Sequence, residues 1–143
     1  MNVAAILSDK GGDVFTLKSD VSIMDAANAL REHKVGALIV SDDTKTIDGI
    51  LSERDIVRGV AERGAASLQE TVANLMTRDV ITCSEESTVS DLMELMTSGR
   101  FRHLPVVRGN DLIGIVSIGD IVKRRIADVE REAEEIRSYI ATA

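Results

Sequence analysis

A serine followed three residues later by an aspartate closes the same β-prone phrase twice. GILSERDIV at residues 49–57 carries Ser52 and Asp55, and GIVSIGDIV at residues 114–122 carries Ser117 and Asp120, with six of nine positions identical. Two chemistries suit that spacing. In a helix N-terminal capping box the hydroxyl accepts from the backbone amide three residues on and the acid reaches back. Where a strand runs straight into a helix, free amides and a partial positive potential attract small anions. A carboxylate at that junction repels a phosphate but suits the vicinal hydroxyls of a sugar, with the serine alongside. Ser22 with Asp25, and Thr88 with Asp91, repeat the pattern ahead of other helices and are assigned to capping.

A sugar held by Asp55 or Asp120 leaves any phosphate to be met by cations. RFRHLPVV places Arg100, Arg102 and His103 just before a strand, and Arg54, Arg58, Lys123 and Arg124 follow the serines. Arginine suits phosphate because its planar fork donates two parallel hydrogen bonds. Pro105 has no amide to give to a strand ladder, which leaves the backbone around it open. Enzyme patterns are missing: neither G-x-S-x-G nor G-x-G-x-x-G nor G-x-x-x-x-G-K-[ST] occurs, and His103 has no partnered nucleophile. DKGG near the start reads as a flexible turn. One cysteine, Cys83, and two histidines, His33 and His103, cannot form a disulfide framework or a zinc site of thiolates and imidazoles alone. A non-catalytic protein without metal or catalytic cofactor is therefore expected.

The elements that must position these groups also come in duplicate. Val14 with Val80, Thr16 with Thr82, Asp25 with Asp91 and Leu38 with Leu104 share an offset of 66; Gly49 with Gly114 and Asp55 with Asp120 share 65. Each unit reads as a short strand (DVFTL, DVITC), an amphipathic helix (SIMDAANALREHKVG, TVSDLMELMTSGRF), two strands (ALIV and GILS; LPVV and GIVS) and a helix. The pattern predicts an α+β fold of two β-α-β-β-α repeats packed sheet to sheet about a pseudo-twofold axis. The first repeat spans 1–66 and the second 67–126, with 68–77 as the connection, where VANLMT echoes VAAILS near the start. Residues 127–143 extend the last helix. There Val122, Ile126, Val129, Ala133, Ile136 and Ile140 recur at spacings of 4, 3, 4, 3 and 4, an a/d stripe that packs either on the chain's own body or on a second subunit.

Composition narrows the partners. A folded chain of 143 residues buries roughly 70% of its unfolded surface, and with aromatics at 2% the core is aliphatic. Any planar ligand must lie between aliphatic walls. A net charge of −7 argues against a nucleic-acid footprint. No apolar run approaches a membrane helix and no signal peptide opens the chain, so a cytoplasmic protein is expected.

The motif pair GALIV…GILSERDIV and RHLPVV…GIVSIGDIV resembles the cystathionine β-synthase (CBS) domain family, in which two tandem copies form a Bateman module, and the resemblance covers residues 3–124. It implies a regulatory module that binds adenine nucleotides or related adenosyl ligands in two clefts between the repeats. In one cleft, Ser117 and Asp120 would hold the ribose, with adenine against Thr16, the backbone of Gly36, Ala37 and Leu38, and the side chain of Ile115; Arg102 and His103 would face the phosphates. The other cleft would use Ser52, Asp55, Ile50 and Thr82, the base near Arg102 to Leu104, and Arg54 and Arg58 for phosphate. Because Gly36 and Ala37 stand where the second repeat has Arg102 and His103, the Asp120 cleft is expected to bind more tightly. The resemblance also implies a stand-alone sensor, a homodimer meeting through helices, and a separate effector protein. A structural dimerisation module whose Ser-x-x-Asp pairs only cap helices is the competing expectation.

Overall fold

The computed structural model describes residues 2–142. Helix α1 (Val3–Lys10) precedes strand β1 (Thr16–Leu17), α2 (Ile23–His33), β2 (Ala37–Val40), β3 (Gly49–Ser52) and α3 (Glu53–Arg63). A 3-10 turn at Gly64–Gln69 and the short α4 (Val72–Leu75) lead to α5 (Val89–Gly99), β4 (His103–Arg108), β5 (Asp111–Ser117) and α6 (Ile118–Thr142). The repeat read from sequence is thus realised as α+β architecture. Strand β1 lies parallel to β2, which pairs antiparallel with β3; β4 and β5 form an antiparallel hairpin.

The opening strand of each unit is shorter than its β-prone run. DVFTL contributes only Thr16 and Leu17, and DVITC contributes a single parallel bridge, Cys83 to Val106. Cys83 still donates to the Pro105 carbonyl at 3.0 Å and accepts from the Val107 amide at 2.9 Å. The chain then turns at once, since the Ser84 amide donates to Ser87 Oγ at 3.1 Å. Pairing stops because the backbone leaves the sheet.

Helix ends follow the capping chemistry. Ser22 Oγ accepts from the Asp25 amide at 3.1 Å, and Thr88 and Asp91 form a full capping box. In the loop between β2 and β3, Asp43 accepts from the amides of Thr46 and Lys45 at 2.7 and 2.9 Å. Those amides, Thr46 first, hold its carboxyl far below the ordinary carboxylate range.

Strand alternation assigns each sheet an inner and an outer face. Leu38, Val40 and Leu51 share one face of the first sheet, and Leu104, Val106 and Val116 one face of the second. These faces look onto two aliphatic cores, one holding Ile23, Ala26, Val40, Leu51, Val72 and Met76, the other Val3, Ile6, Leu92, Met96, Leu104 and Val116. On the opposite faces Ile39 and Pro105 are also buried, as packing of sheet on sheet requires. That inner layer consists of Ala37, Ile39, Ile50 and Ser52 on one side and His103, Pro105, Ile115 and Ser117 on the other.

The short helices cross between the units. Helix α1, first in the chain, supplies Val3 and Ile6 to the core of the second repeat, whereas α4 supplies Val72 to the core of the first. Two glycines make room for the crossing. A Cβ on Gly49 would stand 2.7 Å from Met76 Sδ, and one on Gly114 would stand 2.7 Å from Leu7 Cδ2. Helix α6 runs unbroken through residues 118–142, with Ile121 and Asp128 turned to the body. Its a/d stripe faces away, so it does not pack on the chain's own core.

Candidate functional site

Both strand-to-helix junctions turn their serine onto the inner layer, opposite the start of the neighbouring strand: Ser52 pairs with Ala37 and Ser117 with His103. The first amide of each following helix is bonded across the sheet. Glu53 N donates to the Gly36 carbonyl at 3.0 Å and Ile118 N to the Arg102 carbonyl at 2.8 Å. The junctions are capping boxes as well. Ser52 N donates to Asp55 Oδ2 at 2.9 Å, and Ser117 N to Asp120 Oδ2 at 2.9 Å, with Asp120 N donating back to Ser117 Oγ at 3.2 Å. One Oδ of each acid is therefore committed to its own helix.

Beyond that the two sites differ. Ser52 and Asp55 open on a cavity of about 460 Å³ whose wall also includes Ile50, Arg54 and Arg58 from the first repeat. The facing wall brings Arg100, Phe101, Arg102 and His103, and Thr77, Asp79 and Ile81 close one end. Four arginines, Arg54, Arg58, Arg100 and Arg102, share this lining with three acidic residues, Glu53, Asp55 and Asp79. Among the described residues, Asp55 Oδ1 has only Thr77 Oγ1, at 3.5 Å. Arg54 is steadied by donating to the Arg100 carbonyl at 3.1 Å. Of the residues expected for this cleft, Thr82 is exposed and Leu104 lies fully buried in the second core; neither lines the cavity. Thr77, Asp79, Ile81 and Phe101 were not singled out in the sequence. The echo of VAAILS in VANLMT was the available signal for Thr77.

Around Asp120 the space is smaller, about 160 Å³, between Ile6, Asp9, Lys10, Lys123 and Arg124. Lys10 Nζ donates to Asp120 Oδ2 at 2.7 Å and to the Ile115 carbonyl at 3.0 Å, reaching from α1 across the whole chain. Burial pushes the Asp120 carboxyl up, but the Lys10 ammonium and the Ser117 amide outweigh it and hold the group below its ordinary value. Thr16, Ala37, Leu38 and Ile115 do not line this cavity, and Gly36, Arg102 and His103 lie on the wall of the larger one. A Cβ on Gly36 would stand 3.1 Å from the His103 ring, so the positions that break the repeat's symmetry pack directly together. Burial lowers the His103 pKa below the ordinary imidazole value, against the pull of Glu53 and Asp120.

Among the described residues, no group of three His, Cys, Asp or Glu side chains is placed to hold a metal ion, and no helix is long and apolar enough to cross a membrane.

The family profile of the CBS domain matches residues 3–62 and 72–127. The crystal structure of the CBS-domain containing protein ATU1752 from Agrobacterium tumefaciens is 50% identical, with a TM-score of 0.86 over 87% of this chain and 99% of its own. The CBS domain pair of protein MJ0100, solved in complex with 5′-methylthioadenosine and S-adenosyl-L-methionine, is 29% identical, with a TM-score of 0.79 over 90% of this chain and 98% of its own. CBSX2, solved in complex with AMP, is 30% identical, with a TM-score of 0.68 over 80% and 88%.

Proposed function

This chain belongs to the CBS domain family as a tandem pair, and on that premise we propose that it is a non-catalytic regulatory module that binds an adenosine-containing ligand between its repeats. The observation that carries the reading is the Ser52–Asp55 junction opening on a cavity lined by four arginines. Asp55 accepts from the ribose hydroxyls, the base lies between Ile50 and Ile81, and the arginines neutralise a phosphate tail. Similar structures bound to AMP and to methylthioadenosine with S-adenosyl-L-methionine support the ligand class. Ser117 and Asp120 mark the second, pseudo-symmetric place for the same chemistry, where Lys10, Lys123 and Arg124 supply the neighbouring cations. The module acts as a homodimer in the cytoplasm, and binding shifts the helices presented to a separate effector protein by its differential affinity for two arrangements.

Calorimetric titration of ligand-free protein with AMP, ADP, ATP, NAD and S-adenosylmethionine tests the reading. Heat is expected from at least one of the five, and silence from all of them ends it. The second reading, a structural module whose Ser-x-x-Asp pairs only cap helices, is favoured by the capping bonds present at both junctions. It predicts that silence.

The order of the two clefts turns on Lys10. Lys10 shares Asp120 Oδ2 with the Ser117 amide, so a sugar at this junction meets an acid whose charge is already drawn on by an ammonium about one-third exposed. In an Asp55→Ala background, Lys10→Met is expected to tighten nucleotide binding at the Asp120 cleft about fivefold, the worth of a screened ion pair. Weaker binding in that double variant would make Lys10 a ligand contact instead of a competitor.

A further inference from the structure

The outward stripe of α6 is exposed at every position but the half-buried Ala133: Val122 by 49%, Ile126 by 54%, Val129 by 47%, Ile136 by 60% and Ile140 by 68%. At 3.6 residues per turn it lies about 120° round the helix from Ile121 and Asp128, which face the body. Beyond Ala133 every described side chain of α6 is exposed. A free helical end of so few turns is marginal in water without something to pack on.

Spacings of 4, 3, 4, 3 and 4 place Val122, Val129 and Ile136 at d and Ile126, Ala133 and Ile140 at a. The flanking g positions are then Arg125, Glu132 and Tyr139, and the e positions Lys123, Glu130 and Arg137. In a parallel, in-register pair each g residue meets the e residue five places on in the other helix. Arg125 then meets Glu130 of the partner subunit, and Glu132 meets Arg137 of the partner subunit. Both contacts are attractive. An antiparallel pair centred on the same stripe sets e against e and g against g, bringing Glu130 to Glu130 and Glu132 to Glu132. We infer that residues 122–140 of α6 form a parallel, in-register coiled coil with a second copy of this chain. The occupant of the stripe is chosen by that charge pattern, and the small Ala133 at an a position lets the two backbones approach. Because α6 starts at Ser117 and Asp120, the coil joins two copies through the helices that leave their junctions.

Cysteine placed on the seam tests orientation. In full-length protein under mild oxidation, Ala133→Cys is expected to cross-link to its own copy about tenfold faster than Ser138→Cys on the outer face, because only the seam brings Cβ atoms within disulfide reach. Cys83 stays silent, being buried with its thiol pushed up to about 11. Sedimentation supplies the second arm. Glu132→Lys and Arg137→Glu are each expected to raise the dimer dissociation constant roughly tenfold, and the double variant to restore it. Equal cross-linking at positions 133 and 138, failure of the double variant to restore association, or a monomer at every attainable concentration would each overturn the inference.

Discussion

Asp55→Ala is expected to cost about 100-fold in nucleotide affinity at the larger cleft, the equivalent of losing two hydrogen bonds from a sugar diol to a charged acceptor. Asp55 is half-buried, so its bonds to a ligand form partly out of water. Its Oδ2 already accepts from Ser52 N at 2.9 Å and Ser52 Oγ at 3.1 Å, whereas Oδ1 has, among the described residues, only the long Thr77 contact. The same substitution removes the acid arm of a capping box at the start of α3, a loss of about 1 kcal/mol of stability. The two effects separate cleanly: calorimetry reads the first and urea denaturation the second. A variant that melts lower but binds AMP and its relatives as before would show that this carboxylate serves the helix alone. Asp120→Ala in parallel reports on the other junction, where the acid likewise accepts from its serine's amide but Lys10 shares the same Oδ2.

What the sequence made legible was what the repeat states locally. Gly49 and Gly114, Ser52 and Ser117, Asp55 and Asp120 sit at matched offsets, and the strand-to-helix turns they form need only neighbours to be specified. The four capping pairs could be read for the same reason, since each is closed within three residues. Contacts between distant segments were not legible. Nothing in VAAILSDK tells that its Val3 and Ile6 complete a core built from residues 83–121, or that Lys10 ends on Asp120, because a short amphipathic helix carries no address for the sheet it will cover. The wall of the larger cleft is only partly legible for a similar reason. Arg54, Arg58 and Arg102 follow from sequence neighbourhood to the serines and strand β4, but Thr77 and Ile81 arrive through the crossing of α4. Thr82, the repeat mate of Thr16, is exposed, and DVITC keeps a single bridge where DVFTL keeps two paired residues.

That crossing makes a stability prediction with no counterpart in the linear order of the repeats. Ile6 stands near the start of the chain, yet its side chain is 4% exposed, packed among Leu92, Met96, Leu104 and Val116. Ile6→Ala is expected to destabilise the protein by about 2–5 kcal/mol, the range for emptying a well-packed aliphatic site, as measured by urea denaturation of the full chain. Helix α1 has eight residues, too few to persist by itself, so its position depends on that burial. Lys10 rides on the same helix, and loosening it frees Asp120 as Lys10→Met does. The substitution is therefore expected to lower stability and, in the Asp55→Ala background, to raise nucleotide affinity at the Asp120 cleft. A loss below about 0.5 kcal/mol, the range of an ordinary surface change, would mean that α1 frays from the second core in solution and that the bridge to Asp120 is not held by packing.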